Sequence, residues 1–135
     1  MELSLPSLTI ITIVYNRVKD IEYTLKSITE QTYKNIEYIV IDGNSNDGTL
    51  DIIQKYLDKI NHLVSEKDNG IYDAMNKGLR LATGDYVLFI NGGDNLHQKN
   101  TIENIFQIFP SFYQKMSSYD SVFYSSLVKS SLVHM

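Results

Sequence analysis

Polar side chains that could bind a charged ligand follow each of four apolar segments in this sequence. In chain order these groups are Asn16-Arg17, Asp42, residues 66–70 and residues 91–94. Three of the groups offer a carboxylate, and carboxylates that share one edge of a fold repel one another unless a cation or hydrogen-bond donors compensate them. The combination favours a divalent metal ion with a polar, hydroxyl-rich ligand. Oxygen ligands indicate Mg²⁺ or Mn²⁺ rather than zinc.

The segments that position these residues alternate between strand and helix patterns. Short runs rich in β-branched residues predict strands at 8–15, 36–41, 62–65 and 86–90. Apolar residues three and four positions apart predict helices at 20–30, 50–60, 70–82 and 101–109. Asp20 is the expected cap of the first helix, and Ser45 or Asp47 that of the second. Pro110 is expected to end the fourth helix, and residues 121–124 are a candidate fifth strand.

This alternation predicts a single α/β domain. Strand–helix–strand units in series require right-handed crossovers, which give a Rossmann-like, mostly parallel sheet with helices on both faces. In an open sheet of this kind, ligands bind beyond the carboxyl ends of the strands, at the point where the strand order reverses. The polar groups that follow the strands are therefore expected to meet at one edge of the sheet.

Composition narrows the class of protein. The chain has 135 residues, of which 43% are hydrophobic and 21% charged, as expected for one globular domain. A net charge of −4 disfavours nucleic acid as a partner. The absence of cysteine excludes disulfides and thiolate zinc sites and fits a reducing compartment. No apolar run reaches the roughly 20 residues of a membrane span. We predict a cytoplasmic location and leave action at the inner face of the membrane open.

Several common ligand-binding motifs are missing from the sequence. No G-x-G-x-x-G follows the first strand, no G-x-x-x-x-G-K-[ST] is present, and no G-x-S-x-G occurs. These absences exclude a dinucleotide fingerprint, a P-loop and a serine elbow. His62, His97 and His134 are scattered, and none is spaced like a pair of metal ligands.

Five segments resemble, in order, the motifs of family 2 glycosyltransferases with the GT-A fold. They are residues 13–16 (IVYN), 41–49 (IDGNSNDGT), 68–78 (DNGIYDAMNKG), 83–86 (TGDY) and 91–94 (NGGD). Any one of them would be a weak signal. Five in sequence, each at a predicted strand end or helix start, are specific, and the resemblance covers roughly residues 6–110.

The resemblance implies a site for a nucleotide-sugar. Tyr15 and Asn16 match the turn that lies along the base, and Asp42 matches the carboxylate that accepts a hydrogen bond from it. The loop and helix of residues 68–77 match the segment that flanks the nucleotide. Asp94 matches the carboxylate that holds a Mn²⁺ or Mg²⁺ ion bridging the diphosphate. The residues that match nucleotide-sugar-binding positions are Val14, Tyr15, Asn16, Asp42, Asp68, Gly70, Asn76, Lys77, Asn91 and Gly93.

Structural roles compete with these functional ones. Residues 47–49 are more typical of helix capping and a tight turn than of ligand binding. Two interpretations, structural support and ligand contact, stay open for Arg17, Asp42, Lys67, Asp73, Asn76 and Asp94.

The sequence departs from the family pattern in two places. Many members carry two adjacent acidic residues where this chain has Gly93-Asp94, and Asn91 is expected to replace part of the lost contact. About 40 residues follow Asp94, fewer than the family's acceptor-binding half needs. We therefore expect residues 1–135 to be one truncated domain, with a nucleotide-sugar-binding core at 6–110 and a weakly patterned tail at 111–135. No catalytic base can be named.

The predicted function is transfer of a sugar from a nucleoside-diphosphate sugar to an acceptor hydroxyl, with a divalent cation as cofactor. A UDP-sugar is the favoured donor, and the resemblance implies inversion, a glycan or lipid-linked acceptor, and a role in polysaccharide or other glycan biosynthesis. The alternative is a half-domain that binds a nucleotide without turnover. A missing second half could also leave apolar surface that a homo-oligomer would cover. A phosphoacceptor receiver domain is disfavoured, because Asn16-Arg17 replaces its acidic pair and the tail offers only Lys129.

Overall fold

The computed structural model describes residues 5–116, with side chains for residues 5–108. The strands are β1 Leu8–Val14, β2 Ile36–Asp42, β3 His62–Ser65 and β4 Tyr86–Phe89. The helices are α1 Ile21–Thr29, α2 Thr49–Gln54, α3 Ile71–Leu81 and α4 Thr101–Met116, with a 3₁₀ turn at Leu57–Lys59 between α2 and β3. The candidate strand at 121–124 lies outside the described residues.

The four strands form one sheet in the order β3-β2-β1-β4, and every neighbouring pair is parallel. The predicted α/β class is confirmed, and the described part of the sheet is wholly rather than mostly parallel. The chain moves outward from β1 through β2 to β3, and then α3 carries it back to the other side of β1. The strand order therefore reverses between β1 and β4, which makes this the expected place for a ligand.

Helices cover both faces of the sheet, as predicted. Alternate residues of β1 point to opposite faces: Ile10 belongs to the core shared with α1, α2 and α4, whereas Ile11 belongs to the core beneath α3. Both residues are fully buried, which explains why the strand is apolar along nearly its whole length. No helix among residues 5–116 combines the length and the apolar character that crossing a membrane would take.

Helix α3 lies unusually close to β1 at Gly78. A Cβ atom on Gly78 would stand 2.6 Å from the Cγ2 atom of Ile11, a distance that real side chains do not tolerate. This close approach explains the glycine in the segment 68–78, and it fixes the height at which the first turn of α3 meets the carboxyl edge of the sheet.

Two predicted helices differ from the observed ones. The second ends at Gln54 and continues as a tighter turn, because the N–H groups of Lys55 and Tyr56 donate to carbonyls three residues back. Leu57, expected on its buried face, is 48% exposed. The fourth helix runs through Pro110 to Met116, so the expected end at Pro110 is wrong. A proline deletes one hydrogen bond of a helix, and the turns on either side can keep theirs.

The second helix begins differently from the prediction too. Its N-cap is Gly48, in the left-handed conformation with φ 102°, rather than Ser45 or Asp47. Asp47 supports the start from one residue earlier, since its Oδ1 atom accepts hydrogen bonds from the N–H and hydroxyl of Thr49 at 3.0 and 2.5 Å. The expected cap is therefore wrong, although Asp47 supports the first turn through Thr49.

Glu37 on β2 accepts hydrogen bonds from β1 and from the turn before β4. We expect it to make the free energy of unfolding fall at acid pH. Burial raises the pKa of Glu37, but hydrogen bonds from Thr83 and Thr9 and the charge of His62 outweigh it and hold the pKa below its ordinary value of 4.5. A lowered pKa stabilises the fold above about pH 4.5, and this contribution is lost as the pH falls through the lower value. Urea titrations at pH 7 and pH 3 measure the fall in the free energy of unfolding between these pH values, and this fall should be smaller in Glu37→Gln. The exposed Asp58→Asn variant is the control, and an unchanged pH dependence for Glu37→Gln would contradict the assignment.

Candidate functional site

A cavity of about 410 Å³ opens at the carboxyl edge of the sheet. The end of β1, the turn after β2 and the loop that enters α3 line it. Five of the residues singled out from the sequence lie on its wall: Val14, Tyr15, Lys67, Asp68 and Gly70. The cavity therefore occupies the edge that the chain topology indicates.

Two apolar side chains form the exposed walls of this cavity. Tyr15 is 59% exposed and Ile71, in the first turn of α3, is 53% exposed. Apolar side chains that lie together around a cavity offer a surface to a partly apolar ligand. The face of an aromatic ring beside an aliphatic side chain suits a flat, partly apolar group such as a nucleobase.

The carboxylate of Asp42 lies beneath the site rather than in its wall. Asp42 is fully buried. Its oxygens accept hydrogen bonds from the N–H and hydroxyl of Ser45 at 3.0 and 2.5 Å and from the hydroxyl of Ser65 at 2.8 Å. These bonds tie the turn after β2 to the end of β3. The direct contact between Asp42 and a base stays a prediction.

Asn16 fixes the turn after β1. It adopts φ 50°, a left-handed conformation that asparagine tolerates better than most residues. Its N–H donates to the hydroxyl of Ser45 at 2.8 Å, and its side-chain oxygen accepts from the N–H of Asn46 at 2.9 Å. The side-chain oxygen is thus engaged within the protein, and Asn16 holds the turns after β1 and β2 together.

Lys77 gathers the acidic residues around the entry to α3. Its ammonium lies 2.9 Å from Asp68, 3.2 Å from Glu66 and 3.6 Å from Asp73, and it donates to the carbonyl of Lys67 at 3.1 Å. The hydrogen bond with Asp68 and the charge of Glu66 raise the pKa of Lys77 against the opposing effect of burial. Lys77 is only 14% exposed, so it acts on the cavity through the loop that it holds. Asn76, by contrast, is exposed on α3 and is not part of the cavity wall.

The turn at residues 91–94 rests on the end of β1. The N–H of Gly92 donates to the carbonyl of Ile13 at 2.9 Å, and a Cβ on Gly92 would stand 2.6 Å from the Cγ2 of Val14. Because Val14 also lines the cavity, the turn at residues 91–94 is next to the cavity wall. Asn91, Gly93 and Asp94 are exposed there.

Arg17 and Asp20 adjoin the same turn, and Asp20 was not among the residues singled out by motif. Asp20 occupies the N-cap position of α1, but its side chain makes no capping bond. Its Oδ2 instead accepts from Arg17 at 3.2 Å, and the pair lies against Gly93. The i, i+3 spacing of opposite charges was the available signal.

The carboxylates at the carboxyl edge of the sheet do not form a cluster of metal ligands among the residues that the structure describes. No three acidic or histidine side chains within them could together hold a metal ion. The carboxylates have separate partners instead: serines for Asp42 and Lys77 for Asp68. Asp94 is left as one exposed carboxylate. A single carboxylate fits Mg²⁺ or Mn²⁺ only where ligand phosphates supply further oxygens, which is how Mg²⁺ is commonly bound.

The comparisons with known proteins fit this geometry. The model of the family described as glycosyl transferase family 2 matches residues 9–115, and the chain belongs to that family. Its Rossmann-like sheet matches GT-A glycosyltransferases of known structure.

Among curated relatives, the PGL/p-HBAD biosynthesis glycosyltransferase of Mycobacterium tuberculosis is 34% identical over 103 residues, covering 74% of this chain and 40% of that protein. Glycosyltransferase AglE of Haloferax volcanii is 32% identical over 104 residues, covering 73% of this chain and 34% of that protein. The chain thus spans two fifths or less of the length of these relatives.

Two solved structures show what similar proteins bind. Staphylococcus aureus TarS 1–349 in complex with UDP superimposes with a TM-score of 0.67 and 29% identity, over 82% of this chain and 33% of that one. The mannosyltransferase PcManGT from Pyrobaculum calidifontis, in complex with GDP-Man and Mn²⁺, gives 0.69 and 30%, over 76% of this chain and 32% of that one.

Proposed function

We propose that this chain binds the donor for a glycosyltransferase that moves a sugar from a nucleoside diphosphate to an acceptor hydroxyl. The observation that carries the proposal is the cavity at the carboxyl edge of the sheet, with the exposed ring of Tyr15 in its wall and the turn bearing Asp94 beside the end of β1. Complexes of similar structures with UDP, UDP-GlcNAc and GDP-Man support a nucleotide-sugar as ligand. We favour a UDP-sugar.

Each wall of the cavity has a part in this proposal. The base lies against Tyr15, on the turn that Asn16 and Asp42 hold in shape. The loop fixed by Lys77 closes the side of the base and ribose, where Asp68 offers an acceptor. The Asp42 carboxylate accepts three hydrogen bonds and could accept a fourth, but it is fully buried, so a hydrogen bond from the base would need the turn after β2 to move.

The reaction that suits this site is a displacement at the anomeric carbon. The acceptor oxygen forms a bond to that carbon from the face opposite the diphosphate, the bond to the diphosphate oxygen breaks, and the hydroxyl proton leaves to a base. The configuration is thereby inverted. A divalent cation bound with the donor supplies charge neutralisation for the leaving diphosphate, and Asp94 is the residue that would hold it. We propose a glycan or lipid-linked acceptor.

Calorimetric titration of the 135-residue chain with UDP, GDP, CDP and ADP tests the proposal. With Mn²⁺ present, one of these ligands, expected to be UDP, should bind at least about tenfold more tightly than without it. Asp94→Ala should remove that gain, because the metal loses its protein ligand. The exposed Asp58→Ala variant should keep it.

The possible outcomes separate the parts of the proposal. Metal-dependent affinity that survives in Asp94→Ala would show that the metal assignment is wrong. A chain that binds none of the four nucleotides would overturn the function itself. Binding without sugar transfer or donor hydrolysis, over a panel of acceptors, would favour the alternative half-domain without turnover.

A further inference from the structure

The side chains of Arg17 and Asp20 fill the space into which a side chain at position 93 would extend. A Cβ atom on Gly93 would stand 3.1 Å from the Oδ2 of Asp20 and 3.4 Å from the Cζ of Arg17. Gly93 also adopts φ 100°, which side-chain-bearing residues rarely accept. The Arg17–Asp20 pair can therefore occupy its position because residue 93 has no side chain.

Arg17 and the turn that carries Gly93 are both anchored by hydrogen bonds, so this arrangement is well defined. The N–H of Arg17 donates to the hydroxyl of Thr49 at 2.7 Å, and its carbonyl accepts from the N–H of Ile21 at 2.9 Å. The N–H of Gly93 donates to the hydroxyl of Thr24 on α1 at 2.9 Å. The same helix thus fixes the backbone of Arg17 and the backbone of the turn.

Most of the N–H donors of the Arg17 guanidinium are not used by Asp20 and are available to a ligand. The Arg17 side chain is 54% exposed, and within the described residues Asp20 accepts from only one of its nitrogens. A guanidinium has five N–H donors, so further donors remain free. The Oδ1 atom of Asp20 is buried and has no hydrogen-bond partner in the described part of the chain. Within the described residues the Asp20 side chain thus makes one hydrogen bond, to Arg17, through its Oδ2 atom.

The position of Arg17 fits the phosphates of a ligand in the cavity. Val14 lines the cavity and also lies against Gly92, so the turn at 91–94 adjoins the cavity wall. With the base against Tyr15, phosphates that extend to Asp94 would pass beside Arg17, which lies two residues after Tyr15 in the chain. Lys77 cannot serve there because three carboxylates already surround it. Arginine binds phosphate oxygens with two parallel hydrogen bonds where space allows.

We propose that Arg17, oriented by Asp20, binds the diphosphate of the donor beside Asp94, and that Gly93 is needed to leave room for it. This inference rests on the proposed function. It also accounts for the departure from the family pattern, since the Cβ atom of any larger residue at position 93 would stand 3.1 Å from the Oδ2 of Asp20 and 3.4 Å from the Cζ of Arg17 and would displace the pair.

The test compares ligands that differ only in their phosphates. Calorimetry gives the affinity for UDP, and ligand-observed NMR gives the affinity for uridine. Arg17→Ala should weaken UDP binding by about tenfold or more and leave uridine binding within about twofold. Arg17→Lys should recover part of the loss, because it keeps the charge but not the paired donors. Lys19→Ala, an exposed neighbour, is the matched control and should change neither affinity.

A double-mutant cycle with Gly93→Ala tests the second part of the inference. Gly93→Ala alone should weaken UDP binding by displacing Arg17, and it should add little in the Arg17→Ala background. Thermal unfolding checks that each variant is folded. Unchanged UDP affinity in Arg17→Ala, or an equal loss for uridine, would overturn the inference while leaving the proposed function intact. A wild-type chain that binds no UDP would overturn both.

Discussion

Replacing Asp42 with alanine is expected to lower the free energy of unfolding by about 3 kcal/mol, which corresponds to a fall in Tm of about 10 °C. The carboxylate is fully buried and accepts three hydrogen bonds from Ser45 and Ser65. Alanine removes all three hydrogen bonds, and each contributes about 1 kcal/mol. The turn after β2 would lose its attachment to the end of β3, so nucleotide affinity should fall as well.

Two further variants distinguish this explanation from a simple loss of volume. Ser65→Ala removes one of the three hydrogen bonds and should lower the free energy of unfolding by about 1 kcal/mol. Asp42→Asn keeps the shape and one acceptor oxygen, and should fall between the two. Urea titration at pH 7 measures all three. A loss below about 0.5 kcal/mol for Asp42→Ala would show that the buried carboxylate does not hold these turns together.

Replacing Lys77 with methionine is expected to weaken UDP binding by about tenfold or more. Methionine keeps most of the length of the side chain but leaves Glu66, Asp68 and Asp73 without the ammonium that separates their charges. Repulsion among them should then open the loop at residues 66–70, which supplies part of the cavity wall. Hydrogen exchange should accelerate in that loop and leave β1 unchanged.

Charge removal provides the control for this prediction. If repulsion opens the loop, adding Glu66→Gln and Asp73→Asn to Lys77→Met should recover part of the affinity. Lys59→Met, at an exposed position, should leave UDP binding as in the parent chain. The role given to Lys77 would be contradicted if the combined variant recovered no affinity for UDP while hydrogen exchange showed that its loop at residues 66–70 is closed.

Most of the fold could be predicted from local pattern. The strand at 62–65 and the helix near 70–82 were placed within a residue of their observed bounds, because a run of β-branched residues or a 3.6-residue period is a local property. The alternation of strands and helices then left little choice but a parallel sheet. The helix through Pro110 was missed, because the sequence shows the one bond that proline removes and not the turns that persist around it.

The sequence predicted where the residues of the candidate site lie, but not which partners compensate the charges of its carboxylates. Asp42 and Asp68 both follow strands, and their positions could be inferred from the chain order. Their partners could not: the hydroxyl of Ser65 lies 23 residues from Asp42 in sequence, and a serine gives no sign of which carboxylate it will contact.

By itself, then, the sequence determined the family, the order of the elements and the edge of the sheet where the cavity lies. These follow from motifs and periodicities within short stretches of chain. Only the tertiary structure decided that the carboxylates are compensated one by one and that Arg17 lies against Gly93. Hydrogen bonds and charge pairs act over about 3 Å, so they depend on how segments distant in the chain are packed.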